Sequence, residues 1–182
     1  MPAKKKSKKV PSRFVVKVFL YGIEPEIWRR FSMPGDATFE EFHGVIQQAM
    51  GWEDAAMHEF RHGKGKRLVD VIGPEEMLKE GVPGEFTHED EITLNEFVGR
   101  RALPIRFLYR YDFRVDWIHE VVIEKREEDA TGKPEMIDGE RACPPEDCGG
   151  VFEYKQCMAG ELEWLDGSYD PEKFDPKSVK FR

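Results

Sequence analysis

The sequence predicts a single α+β domain, a mostly antiparallel sheet with a few helices packed on it. Three observations lead there. Short segments alternate in character with the period of two that places every second side chain on one face of a strand; Phe14–Tyr21 and Pro104–Asp112 are the clearest. Residues 38–51 instead carry apolar side chains at helical spacing behind a capping signature. Finally, 182 residues that are 40% hydrophobic and 12% aromatic can fill one core, and no apolar run approaches the ~20 residues of a membrane helix.

Taken in order, residues 1–12 form a basic tail expected to be disordered, and 13–182 the domain. In the first strand, Phe14, Val16, Val18 and Leu20 share a face. Gly22 and Pro25 turn the chain into a second strand, Ile27 to Met33, completing a hairpin. Thr38 and Glu41 then make a T-x-x-E capping box, followed by the stripe Phe39, Phe42, Val45, Ile46, Ala49, Met50 and by Gly51 as the terminating residue. His43 lies off the stripe and is expected to be exposed. Met57–His62 and Arg67–Ile72 read as short strands, and 73–92 as a loop with a short helix at Glu75–Lys79. Leu94, Phe97 and Val98 suggest a helical turn or two.

Pro104–Asp112 and Asp116–Glu124 read as an antiparallel hairpin, with Phe107, Tyr109, Tyr111 and Phe113 on one face. Residues 125–142 look loop-like. Two prolines and two glycines keep Cys143–Gly150 out of regular structure. Val151–Met158 suggests a short helix, and Val179–Phe181 an edge strand.

Six cations within residues 1–13 leave the remainder at −14, against −8 for the whole chain. The Lys4–Lys9 stretch reads either as a solvated arm or as a nonspecific contact for nucleic acid, whereas the acidic body repels phosphate. No apolar stretch follows the lysines, so no secretory signal and no membrane association are expected, and the expected location is the cytoplasm. Three cysteines, an odd number, argue against a disulfide framework.

Pro25–Arg30 with Ala49–Trp52 and His58–Phe60, then Tyr111–Phe113 with Asp116, Trp117 and His119, then Cys143–Gly150 resemble in order and spacing the Ri-plasmid open-reading-frame-three-like (pRiA4b) family. The resemblance spans roughly residues 14–160 and rests most on the last segment. It implies an α+β fold with a mostly antiparallel sheet and carries no established activity. The chain departs from the family pattern at Arg114 and Val115, where Gly-Asp is usual; this changes the turn and removes one carboxylate.

Two kinds of function are weighed. The first is a binding or interaction module for a protein or small-molecule ligand, with a link to mobile-element or nucleic-acid biology. Its binding candidates are Trp28, Arg29, Tyr111 and Trp117, since large aromatics and arginine suit interfaces as they suit cores. The second is a metal-dependent hydrolase of phosphoester-type substrates, with catalytic candidates Asp112, Asp116, His119, Glu146 and Asp147. Cys143, Cys148 and His119 could hold zinc or another divalent ion. The alternative reading makes the cysteines small buried residues, with Glu146 and Asp147 bracing a tight loop through backbone amides. The reading leans away from an enzyme and predicts no cofactor. His58-Glu-Phe-Arg61 matches an H-x-x-R recombinase fragment, but no ordered set of partners follows it. The binding reading requires Cys143–Gly150 to fold back on the Tyr111–His119 ribbon.

Overall fold

A computed structural model describes residues 11–63, 70–82, 84–128, 131–163 and 168–182. The Lys4–Lys9 tail lies outside them, as does the first half of the strand expected at Arg67–Ile72; its second half is the start of a described strand at Asp70–Gly73. The strands are β1 (Ser12–Leu20), β2 (Trp28–Pro34), β3 (His58–His62), β4 (Asp70–Gly73), β5 (Phe86–His88), β6 (Ile105–Tyr111), β7 (Trp117–Glu128) and β8 (Glu135–Glu140). They form one sheet in the order β5-β4-β3-β6-β7-β1-β2-β8, antiparallel except for β4 beside β5. The helices are α1 (Phe39–Met50), α2 (Met77–Glu80), α3 (Leu94–Val98) and α4 (Val151–Met158). The α+β class, the β1–β2 and β6–β7 hairpins and α4 follow the sequence pattern.

One sheet face is covered. Phe14, Val16, Val18 and Leu20 of β1 meet Phe31, Phe107, Val121 and Ile123 beneath α1, whose stripe is buried as its spacing requires. Phe39 stands edge-on to Phe60 and Phe97 at 5.0 Å, and Phe42 stacks on Phe60 at 5.5 Å. The opposite face carries ion pairs: Arg30–Glu124, Arg106–Glu120, and Glu59 with Arg61 and Arg110.

Thr38 and Glu41 close the expected capping box on α1, and Gly51 ends the helix at φ 79°. A second box, Thr93 with Glu96, starts α3. The two starts are stitched together: Thr38 bridges Thr93, and Leu94 N–H donates to the Ala37 carbonyl.

Five local expectations are corrected. Residues 73–92 are not only loop and helix, because Phe86–His88 pairs in parallel with β4 as β5. Residues 125–142 are not mainly loop, because β7 runs on to Glu128 against β1, and β8 takes the edge beside β2. Val179–Phe181 is therefore not a strand; a 3-10 turn at Pro176–Ser178 precedes it, and Phe181 packs edge-on against Phe31. Phe113 lies in the turn after β6, where the Arg110 guanidinium stacks on its ring at 4.3 Å. His43 is buried, because the segment after α1 folds over that flank of the helix.

Candidate functional site

The β6–β7 register places Tyr111 opposite Trp117 and Tyr109 opposite His119, all four buried on the covered face. Two loops close over these rings. The first, residues 51–57, leaves α1 through Gly51. The second is Cys143–Gly150, which folds back onto the hairpin. Trp52 Nε1 donates to the Pro144 carbonyl at 3.0 Å, and Trp117 Nε1 to the Glu146 carbonyl at 3.4 Å. Gly150 is required here. Its φ is 105°, and a Cβ would stand 2.8 Å from the Val115 carbonyl oxygen.

Glu146 is the brace between the loops. Its carboxylate accepts the Tyr111 hydroxyl, the Glu53 amide at 2.7 Å and the Ala55 amide at 3.5 Å. The Tyr111 oxygen in turn accepts the Ala55 amide at 2.8 Å. Burial and the Glu146 carboxylate push the Tyr111 hydroxyl well above its ordinary pKa, so it remains a proton donor. Glu146 thus braces backbone amides, but those of the 51–57 loop rather than of its own, and among the described residues Asp147 takes no part in the bracing expected of it.

Between the loops lies a recess of ≈390 Å³ whose polar lining is Glu53, Asp112, Arg114, Glu146 and Asp147. Asp112, at φ 50°, receives the Arg114 amide and holds its guanidinium at 3.0 and 2.9 Å. That bond holds the Asp112 carboxyl below its usual range. Arg114 therefore neutralises one recess carboxylate. Glu53 and Asp147 are exposed, and among the described residues no side-chain hydrogen bond or ion pair holds either carboxylate.

The other candidates disperse. Asp116 reaches the ion-paired face and binds Arg110 at 2.5 Å. His119 is fully buried on the covered face, its Nδ1 3.4 Å from the Tyr109 carbonyl and its Nε2 without a partner among the described residues. Burial lowers its pKa to about 4. Asp112, Asp116 and His119 therefore do not converge on one reacting atom. Nor do Cys143, Cys148 and His119 bring ligand atoms within sharing distance of one ion. The Cys143 thiol lies 3.2 Å from Arg29 and 3.2 Å from the Met50 sulfur, and burial raises both Cys143 and Cys148 to about 11. Strand alternation also splits Trp28 from Arg29. Trp28 lies on the ion-paired face under Lys17 and Arg30. Arg29 is 1% exposed, donating to the carbonyls of Ala49, Trp28 and Glu140. With Tyr111 and Trp117 at 0% exposure, these four residues do not line one groove. His58 and Arg61 likewise point to opposite faces, which breaks the H-x-x-R fragment.

A cluster that the sequence reading left out lies beside the recess. The rings of His43 and His58 stack at 3.4 Å, within 3° of parallel. His43 Nε2 is 2.7 Å from Asp54 Oδ1, and His58 Nε2 is 2.6 Å from Glu89 Oε2. The residues come from α1, the 51–57 loop, β3 and the segment after β5, so no spacing motif announces them. The alternation of His58 with Phe60 in β3 was the one local sign of an inward histidine.

Fold and recess together define an α+β protein whose half-open eight-stranded sheet carries a loop-braced polar pocket at one end. The chain belongs to the plasmid pRiA4b ORF-3-like protein family, whose sequence profile matches residues 12–178. It is 31% identical over 168 residues to the uncharacterized protein y4hQ of Sinorhizobium fredii (strain NBRC 101917 / NGR234), covering 85% of this chain and 82% of that one. The crystal structure of the protein of unknown function MM3350 from Methanosarcina mazei Go1 is similar at a TM-score of 0.80 and 33% identity, over 95% of this chain and 99% of that one.

Proposed function

We propose that this protein is a binding module whose recess receives a cationic group, such as an amine or guanidinium, presented by a protein or small-molecule partner. The observation that carries this reading is the pair of carboxylates on Glu53 and Asp147, exposed at the rim and held by no internal bond. Beneath them the floor is rigid, because Glu146 is committed to Tyr111 and to two amides. A preformed floor with unpaired rim charges favours recognition, since little ordering is needed on binding. Among the described residues the cation lining the recess is Arg114, which is already given to Asp112. The dispersal of Asp112, Asp116 and His119 weighs against the hydrolytic alternative.

The test is titration of short lysine- or arginine-rich peptides, followed by amide shift changes, with glutamate-rich peptides as control. Basic peptides are expected to perturb residues 51–56 and 145–148 and to bind more weakly as salt rises. The double variant Glu53→Gln/Asp147→Asn is expected to lose roughly threefold to tenfold in affinity, two exposed pairs being worth a fraction of a kcal/mol to about 1 kcal/mol each. Equal binding of acidic and basic peptides, or no loss in the double variant, overturns the reading.

A further inference from the structure

We propose that His43, Asp54 and His58 form a binding site for one divalent transition-metal ion of the zinc class, with Glu89 and Tyr109 orienting the two imidazoles. The inference stands apart from the recess reading and uses different side chains. One ligand atom from each of the three residues lies within 4.8 Å of the others, and among the described residues this is the set of His, Cys, Asp and Glu that meets that condition. Two borderline imidazoles with one hard carboxylate suit zinc, cobalt or iron, whereas magnesium and calcium prefer oxygen alone.

The surroundings are those of a metal site rather than of a solvated histidine pair. Both rings are buried, yet the Asp54 side chain is 55% exposed, so an ion has a route in and a position open to water. Each ring is oriented by its own partner. His43 Nδ1 lies 2.8 Å from the Tyr109 hydroxyl oxygen, which also accepts Gln47 Nε2–H at 2.9 Å. His58 has the buried Glu89 carboxylate. A carboxylate partner such as Glu89 fixes the ring of a ligating histidine and raises its basicity, and the Tyr109 hydroxyl holds the orientation of the other ring. Asp54 is also placed deliberately. Its backbone is left-handed at φ 57°, uncommon for a residue with a side chain, and its amide donates to Gln47 Oε1 at 3.1 Å. One glutamine thus positions both the ligand Asp54 and the tyrosine behind His43.

Lone pairs on imidazole nitrogen lie in the ring plane. Parallel rings 3.4 Å apart cannot both aim at one ion at ~2.1 Å, so loading must tilt them out of their stack.

The experiment uses the full chain after chelator treatment and dialysis, titrated with Zn²⁺ by calorimetry and with Co²⁺ by visible absorption. The expected result is one ion per chain, a rise in Tm with Zn²⁺, and ligand-field bands with Co²⁺. Asp54→Asn, at a half-exposed position that leaves the core intact, is expected to weaken binding at least tenfold. Glu89→Gln is expected to weaken it by a further 10- to 100-fold range typical of orienting partners. Cys143→Ser and Cys148→Ser should leave binding unchanged. Absence of saturable binding up to millimolar Zn²⁺ overturns the proposal. So does wild-type affinity in a folded Asp54→Asn variant, and so does loss of binding in either cysteine variant, which would move the ligands elsewhere.

Discussion

A histidine ring sealed among aromatic side chains resists protonation, because its charged form loses water and gains no counter-charge. His119 is in that position, with Trp52 edge-on at 5.4 Å, Tyr109 at 5.2 Å and Nε2 unpartnered among the described residues. Its folded-state pKa of about 4 lies below the ordinary 6.5. The unfolded chain therefore takes up a proton below pH 6.5 that the folded chain refuses until pH 4, and stability falls as pH drops through that window. At pH 5 the loss from this one residue is about 2 kcal/mol. His119→Phe is expected to remove that slope while keeping the fold at pH 7; urea unfolding at pH 7 and pH 5 reads it, and an unchanged difference between the two pH values would refute the assignment. The candidate residues show what a sequence discloses at this scale. The prolines and glycines of the eight-residue Cys143–Gly150 run mark an irregular loop, while its seat on the hairpin was an expectation the binding reading required and the backbone chemistry alone does not dictate. The run does not disclose that Arg114 occupies Asp112, or that Arg29 is consumed by three carbonyls, since those partners are chosen by the fold.

At the scale of the element, legibility follows apolar pattern. β1, β6 and α1 bury a regular set of side chains, so period alone reveals them. β8 does not: only Met136 and Gly139 of its six residues are even partly shielded, and backbone pairing with β2 holds it. An edge strand of that composition reads as loop. His43 was misread for a related reason. Helical spacing gives the stripe that faces the sheet, and the flank under the 51–57 loop is set by tertiary structure. The second capping box, Thr93-Leu-Asn-Glu96, repeats the T-x-x-E signature of the first but was not singled out from the sequence. Replacing either threonine by alanine is expected to cost about 1 kcal/mol. Because Thr38 and Thr93 bridge each other, the double replacement should depart from additivity by roughly 0.5 kcal/mol or more. A double-mutant cycle of urea midpoints that closes to zero would show the two helix starts to be independent.

For the whole molecule, the sheet has one face filled by α1, α3 and aromatic rings and another laced with ion pairs, so burial comes from one side and solubility from the other. The chain's last described segment ties these layers at the β8 edge. The ring of Phe174 lies where a side chain on Gly139 would stand, 2.5 Å from the site of a Cβ, and it also stacks on the Arg29 guanidinium at 3.5 Å. Arg29 in turn reaches the Ala49 carbonyl near the end of α1 and the Cys143 thiol at the start of the recess loop. The bare backbone at Gly139 is thus a keyhole: a single added methyl would evict the ring, strip one cover from the guanidinium, and slacken both the carboxy-terminal strap and the loop forming one wall of the pocket. Gly139→Ala should therefore speed protease cleavage near residue 174 and amide exchange at 146–148 together; a rise in one without the other would show that the two ends of the molecule are not joined through this contact.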